Sequence, residues 1–265
     1  MEFRRLIRGR VDEPQLERIG RELAERYDRE SVHISVLEAD NWLSTPCVVD
    51  EEWFVKVISP QNALVHALFT GARNLGVFSR GEEGFFGRFE DPLEMSQHEL
   101  EATRKVREIG LNAPEPIEAF GVDEFGVLVL EYLPDFRTLD ELSPAEVEAV
   151  APELFAALAT MHDHDLAHGD LRAENVLLQD DELFFIDATN VREDGRSTAR
   201  AYDIASALAT LEPVLGGKRA IEIAARAYSV EDLLAARDFL DFVRLRPDHE
   251  FEATGLKGEI ERRAD

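Results

Sequence analysis

The order of strand and helix patterns along the chain constrains the fold more than any other feature. Before about Leu133, short β-branched and aromatic segments alternate with turns, as in PCVVDEEWFVKVI, which predicts a β-hairpin. After Pro134, the segment SPAEVEAVAPELFAALATMHDHD begins a half dominated by helical patterns. Runs of strands followed by runs of helices are typical of α+β proteins. We therefore predict an α+β fold with a β-rich first part and a helical second part.

The remaining elements are predicted from apolar periodicity and from proline and glycine at segment ends. A helix is predicted over 13–27, a second over 62–75 and a third over 92–110, with a glycine-rich loop at 79–91 and strands at 113–121 and 126–134. The patterns divide the chain into an N-terminal helical extension (1–30), a β-rich part (31–133) and a helical part (134–265).

The charge balance is strongly acidic. The 265 residues include 55 acids against 29 bases, a net charge of -26, and lysine occurs only at Lys56, Lys105, Lys218 and Lys257. This composition resembles that of proteins from salt-loving organisms, and we expect a halophilic archaeal source. Such a surface repels itself at low ionic strength and is screened within about 3 Å at 1 M salt. It disfavours broad nucleic-acid binding, which needs positive charge.

One basic cluster departs from this acidic surface. It consists of four arginines near the N-terminus: Arg4, Arg5, Arg8 and Arg10. A solvated helix lead-in is the simpler interpretation, and a weak RNA or ribosome contact is the alternative.

The sequence predicts a cytoplasmic protein. No apolar run is long enough to cross a bilayer, and the N-terminal segment MEFRRLIRGR lacks the apolar core of a signal peptide. Cys47 is the only cysteine, so no internal disulfide can form, which suits a reducing compartment. We expect Cys47 to be a small buried apolar residue.

Candidates for the parts of a phosphoryl-transfer site occur along the chain. Such a site needs a cation on the phosphates, oxygen ligands for magnesium and a carboxylate that receives the acceptor's proton. Lys56 lies inside the strand pattern WFVKVI. A strand lysine usually points to solvent, but a compact ammonium in a chain that otherwise uses arginine is a candidate phosphate ligand. Glu99 or Glu101, on the third predicted helix, could hold Lys56 through an ion pair.

The segment HGDLRAENVLL supplies the remaining candidates. Asp170 and Asn175 have the five-residue separation of a kinase catalytic loop, in which the aspartate orients the acceptor hydroxyl and the asparagine binds a metal. Asp187 ends the apolar strand pattern LFFID and is the second metal candidate. The order of these residues predicts a phosphotransferase with Asp170, Lys56 and Asn175 in catalysis and with Asn175 and Asp187 as metal ligands.

Over roughly residues 31–210 the chain resembles the protein-kinase-like superfamily and, within it, the RIO-type atypical kinases. HGDLRAENVLL resembles that family's catalytic loop, with Gly169 where typical protein kinases have arginine. FIDATN is similar to the RIO metal-binding segment, with the amide residue Asn190 three positions after the aspartate. HELEATRKVREIGLNAPEPI resembles the RIO helix that follows an insertion, and this alignment favours Glu99 over Glu101.

The resemblance implies a two-lobed protein-kinase-like fold that uses ATP and Mg2+. LVLEYLP resembles the hinge of that fold, which implies that the backbone of Glu131 and Leu133 meets adenine, with Leu130 behind it. Leu177 and Ile186 would lie beneath the adenine.

The resemblance also has consequences for the acceptor. Asp203, in AYDIASAL, is similar to the helix-borne aspartate that braces the catalytic loop, and only sixteen positions separate it from Asp187. This is too short for a peptide-binding platform. The phosphate-covering segment LEADNWLST contains no glycine, and the Asp187 segment continues with Thr-Asn instead of Phe-Gly. We predict a RIO-like atypical serine/threonine protein kinase or ATPase that phosphorylates a protein hydroxyl, itself or water.

Two alternatives remain open. Small-molecule phosphotransferases of the aminoglycoside-kinase type share the same loop, and a nucleotide-gated scaffold with little turnover would bind ATP in the same way. The histidines of MHDHDLAHGD lack paired zinc spacing, and His162 and His168 are interpreted as structural residues that flank the loop. The expected partners are ATP and, as phosphate acceptor, a protein substrate or the chain itself, without a membrane.

Overall fold

The computed structural model describes residues 11–37, 44–63, 91–190, 195–245 and 250–264, the side chains of 189 and 190 excepted. Several predictions from the sequence lie wholly or mainly outside these residues. They are the four N-terminal arginines, the glycine-free segment at 37–45, the helix at 62–75 and the loop at 79–91.

Two compact units account for the described residues. The first contains the described residues up to 63 together with 91–104 and 114–134, and the second contains 105–113 and the described residues from 135 onward. The first unit holds an antiparallel sheet and the second is mainly helical, so the predicted α+β architecture is confirmed.

The first unit is built on a five-stranded antiparallel sheet in the order β1-β2-β3-β5-β4. Its strands are β1 (Ile34–Val36), β2 (Thr45–Val49), β3 (Trp53–Ile58), β4 (Pro116–Val122) and β5 (Phe125–Glu131). The predicted hairpin is confirmed: Val49 pairs with Trp53 across a turn in which Asp50 and Glu51 have positive φ.

Helix α1 (Glu13–Arg26) covers one face of this sheet. Asp12 and Gln15 form a capping box at its start, each side chain accepting from the other's backbone N–H. Its buried side chains Ile19 and Leu23 join the apolar cluster that β2, β3, β4 and β5 contribute. The amphipathic helix predicted over 13–27 is therefore confirmed.

Helix α2 (Pro92–Glu108) begins against β5. A Cβ atom on Gly126 would lie 2.1 Å from the carbonyl oxygen of Pro92, so only glycine allows this approach of the two backbones. The helix stops before Gly110, which has a φ of 83°. The predicted third helix is confirmed, and Gly126 brings its first turn close to the central strands.

The second unit has one large apolar core, formed chiefly by its helices. These are α3 (Pro144–Asp163), α4 (Arg196–Leu215), α5 (Gly217–Ala224), α6 (Val230–Arg237), α7 (Leu240–Val243) and α8 (Ala253–Ala264). Ser143 caps α3 by accepting from the backbone N–H of Glu146. The second unit also contains short strands: β6 (Arg137–Thr138), β7 (Leu166–Ala167), β8 (Val176–Gln179), β9 (Glu182–Phe185) and β10 (Thr189–Asn190).

Two findings bear on the predictions from composition. Cys47 is a free, buried thiol, as expected, and burial raises its pKa to about 12, which keeps it protonated. Within the described ranges, no helix has both the length and the apolar character needed to cross a membrane.

Candidate active site

Lys56 lies in the interior of the first unit. It pairs across the sheet with Leu128 on β5, and its side chain is 4% exposed. Lys56 is therefore buried, so the general expectation that a strand lysine points to solvent is wrong for this residue. Side chains alternate along a strand, so Lys56 faces away from Val55 and Val57, which belong to the cluster beneath α1. Leu128 instead packs with Leu100 of α2 in a separate cluster.

Glu99 of α2 is the counter-ion of this lysine. Its Oε1 atom lies 2.5 Å from Lys56 Nζ, and its side chain is 15% exposed. Glu101, two positions further along the same helix, is exposed. Two residues correspond to about 200° of helical rotation, so the two glutamates cannot share a face. The ion pair expected for Glu99 is present.

Of the predicted hinge residues, Leu130 and Glu131 end β5 and Leu133 follows it. Leu130 is 2% exposed and packs with Leu100 and Leu128. The backbone N–H of Glu131 donates to the carbonyl of Glu115 at 2.9 Å. This bond leaves the Glu131 carbonyl as the group that could meet adenine, while Leu133 is buried two positions later.

Asp203 holds the start of the catalytic-loop segment in the second unit. Its Oδ2 atom accepts from the backbone N–H of His168 at 2.7 Å, and its Oδ1 atom accepts from that of Gly169 at 2.7 Å. Asp203 is fully buried on α4. Gly169 has a φ of 76°, a conformation that side-chain-bearing residues rarely adopt, so the loop requires glycine at this position. This geometry is the brace that the family resemblance implies.

Asn175 is oriented within this loop. Its Nδ2 atom donates to the backbone carbonyl of Asp170 at 2.8 Å, and the residue is 3% exposed. With the amide nitrogen used in this way, the amide oxygen is the atom left for a cation. The Asp170 carboxylate is partly exposed and lies 3.3 Å from Arg172 Nε.

Asp187 follows β9 directly beside this loop. The backbone N–H of Ile186 donates to the carbonyl of Asn175 at 3.2 Å, so the two metal candidates are on neighbouring segments. Asp187 has a φ of 63°. Aspartate and asparagine adopt this left-handed conformation more readily than most other residues with side chains. Leu177 is buried on the adjacent β8, and Ile186 is half-buried.

This donor set suits magnesium. A carboxylate and an amide oxygen on adjacent segments match a cation that takes oxygen ligands and keeps several waters. No group of three or more His, Cys, Asp or Glu side chains suited to a metal occurs among the residues that the structure describes. A magnesium site at this position would use the Asn175 amide oxygen and the Asp187 carboxylate.

His168 is a buried neutral ring behind the loop. Burial lowers its pKa, and the nearby Asp203 carboxylate opposes this effect only in part. Among the described residues, neither ring nitrogen has a hydrogen-bond partner. The ring instead packs edge-on against Phe185, with the centroids 6.2 Å apart. The interpretation of His168 as a structural residue agrees with this environment.

Two residues near the site were not identified from the sequence. Arg172 contacts Asp170, and its position two residues later in the same loop was the available signal. Tyr228 contacts His162 behind the loop, with its hydroxyl 2.9 Å from Nδ1. Tyr228 and His162 are 66 positions apart, so no local sequence pattern could identify their contact.

The RIO-domain family model matches residues 92–202. This range includes Glu99, the hinge residues, the catalytic-loop segment and Asp187; Lys56 and Asp203 lie outside it.

Curated proteins give partial matches to the chain. The chain is 28% identical over 115 residues to the KEOPS complex subunit Bud32 of Pyrococcus abyssi, which covers 42% of this chain and 51% of that protein. It is 29% identical over 145 residues to the 3-deoxy-D-manno-octulosonic acid kinase of Vibrio cholerae, which covers 51% of this chain and 57% of that protein. The chain thus spans about half the length of these two relatives.

The chain is also similar to a solved structure, the kinase domain of Mycobacterium tuberculosis PknI. The alignment covers 88% of this chain and 96% of that kinase domain, with a TM-score of 0.44 and 14% sequence identity. The family match, the relatives and the order of elements support the predicted relationship to protein-kinase-like proteins of the RIO type.

Proposed function

We propose that the chain is an ATP- and magnesium-dependent phosphotransferase, a RIO-like atypical serine/threonine protein kinase or ATPase. The observation that carries this proposal is the Asp203-braced loop, in which Asn175 is oriented by Asp170 and bonded to the segment of Asp187. The buried Lys56–Glu99 pair supplies the fixed cation that such a reaction requires. The match to 3-deoxy-D-manno-octulosonic acid kinase supports the same reaction class.

Each residue has a distinct role in this proposal. Lys56, held by Glu99, neutralises charge on the phosphates of ATP. The Asn175 amide oxygen and the Asp187 carboxylate would hold Mg2+, which would supply positive charge against the charge of the phosphates. Asp170 orients the acceptor hydroxyl and receives its proton, and Arg172 keeps that carboxylate in place.

The adenine would be bound by backbone and apolar groups. The Glu131 carbonyl and the Leu133 backbone are the proposed polar contacts, with Leu130 behind the base. The proposal also assigns the apolar side chains of Leu177 and Ile186 to the adenine.

The acceptor is proposed from the short distance in sequence between Asp187 and Asp203. Sixteen positions leave little chain for binding an extended peptide. Slow hydrolysis of ATP or phosphorylation of the chain itself is therefore favoured over rapid phosphorylation of peptides.

A small-molecule acceptor is the second candidate. Its support is the match to 3-deoxy-D-manno-octulosonic acid kinase, whose named substrate is a sugar acid. Phosphorylation of a sugar acid at a higher rate than hydrolysis of ATP would favour this candidate over the first.

Asp170→Asn tests catalysis. The substitution is nearly isosteric and removes the proton-accepting charge, so ATP turnover should fall by about 10² to 10⁴ while Mg-ATP affinity is preserved. Asp165→Asn, at an exposed aspartate in the preceding turn, is the matched control and should retain full turnover. Unchanged turnover in Asp170→Asn would refute the catalytic assignment, and absent turnover in the wild type would favour the scaffold.

Asp187→Asn tests the metal role. Asparagine tolerates the left-handed backbone at this position, so the substitution changes charge without adding strain. It should weaken binding of Mg-ATP strongly and of adenosine little, as measured by calorimetry. Equal losses for both ligands would contradict the metal assignment.

A further inference from the structure

The Asp203 brace continues into two buried side chains behind the catalytic loop. His162 Nε2 lies 3.1 Å from Asp203 Oδ2, and His162 Nδ1 lies 2.9 Å from the hydroxyl of Tyr228. The His162 side chain is 2% exposed, Asp203 is fully buried and Tyr228 is 5% exposed. The contacts form one continuous chain from Tyr228 to the backbone of His168 and Gly169.

The donor and acceptor of each hydrogen bond in this series follow from the bonds that Asp203 makes to the catalytic loop. The Asp203 carboxylate accepts from two backbone N–H groups and is an acceptor towards His162 as well. Nε2, the ring nitrogen that faces this carboxylate, therefore carries a proton, and Nδ1 is then the acceptor nitrogen of an uncharged ring. Burial raises the pKa of Tyr228, so its hydroxyl stays protonated and donates to Nδ1.

Tyr228 is held in place by its own surroundings. Its ring meets Phe155 edge-on at a centroid distance of 6.2 Å, and the Arg200 guanidinium lies 5.2 Å from the ring centroid. Asp232 fixes that guanidinium at 3.0 Å and also caps α6 by accepting from Ser229. A rigidly held hydroxyl can determine which His162 nitrogen carries the proton.

We propose that Tyr228 is a positioning residue for the catalytic loop. Its hydroxyl directs the His162 proton towards Asp203 and thereby keeps Asp203 on the backbone N–H groups of His168 and Gly169. This places Asp170, the next residue, in its reactive position. The inference rests on the proposed function for its effect on turnover, but the hydrogen-bond chain can be tested without activity.

The test compares Tyr228→Phe with Ser206→Ala in the full chain. Both substitutions remove one buried hydroxyl from the second unit; the Ser206 hydroxyl has no hydrogen-bond partner among the described residues. Tyr228→Phe should move the amide resonances of His168 and Gly169 in ¹H–¹⁵N spectra. It should lower kcat about tenfold, as outer partners of catalytic groups do, and leave KM for ATP unchanged. Ser206→Ala should do neither.

His162→Gln provides a second variant in the same chain. If Tyr228 acts only through His162, the effects of Tyr228→Phe and His162→Gln on kcat should not add in the double variant. Additive effects would overturn the proposal, as would unchanged amide resonances or an unchanged kcat in a folded Tyr228→Phe protein. If the wild type has no ATP turnover, the proposed function fails, and the amide resonances alone decide whether the positioning chain exists.

Discussion

Removal of the negative charge of Glu99 should destabilise the first unit more than removal of the positive charge of Lys56. The pair joins Lys56 Nζ and Glu99 Oε1 at 2.5 Å, with side chains 4% and 15% exposed. Glu99→Gln removes a negative charge beside the more buried Lys56 ammonium, and breaking a buried pair in this way costs about 3–5 kcal/mol of unfolding free energy. Because the glutamine oxygen can still accept from Lys56, we expect about 3 kcal/mol, the lower end of that range.

The other variants of the cycle should behave differently. Lys56→Met replaces the lysine with an apolar side chain of similar length and leaves the more accessible partner charged, so its loss of stability should be smaller. In the double variant neither charge remains, and the pair should show a coupling energy of about 2–3 kcal/mol. Glu101→Gln, on the exposed face of the same helix, should change stability by no more than about 0.5 kcal/mol.

Urea unfolding at a fixed molar salt concentration measures all four variants. Equal losses for Glu99→Gln and Glu101→Gln would refute the reasoning, because burial would then have no effect. A larger loss for Lys56→Met than for Glu99→Gln would refute it as well, because the cost would then arise from lost lysine packing rather than from a buried charge.

Four further outcomes follow from the charge and geometry of the chain. Lys56→Met should weaken ATP binding in calorimetry, and normal binding and turnover would remove it from the site. With a net charge of -26, the melting temperature should rise steeply from low to molar salt; a flat profile would refute the salt-adapted interpretation. Because burial lowers the pKa of His168, this side chain is protonated at a higher pH in the unfolded state than in the folded state. The free energy of unfolding should therefore fall as pH drops below about 6.5, by up to about 1.4 kcal/mol per pH unit. His168→Leu should show a shallower slope, and a slope identical to that of the wild type would contradict this prediction. Gly169→Ala should destabilise the protein by about 1–2 kcal/mol in urea unfolding, because the φ of Gly169 is 76°. Gly258 lies on α8 with open space where a Cβ atom would lie, so the control Gly258→Ala should stabilise the protein. Equal effects of the two substitutions would exclude backbone strain as the cause.

Predictions that depended on local pattern agree with the structure. The β-branched and aromatic residues of WFVKVI and the proline and glycine around α2 are local features of the sequence, and β3 and α2 form where these features predict. The five-residue separation of Asp170 and Asn175 is also local, and the Asn175 amide donates to the Asp170 carbonyl across that separation.

The sequence by itself determined which residue types were available for the chemistry and in what order they occur. Only the tertiary structure decided how they are held. Lys56 is buried instead of exposed because β3 is a central strand and α2 approaches through Gly126. The contact between Tyr228 and His162 joins residues 66 positions apart and depends on the packing of the second unit. Local patterns encode periodicity and turns, whereas burial and long-range hydrogen bonds arise only once the chain has folded.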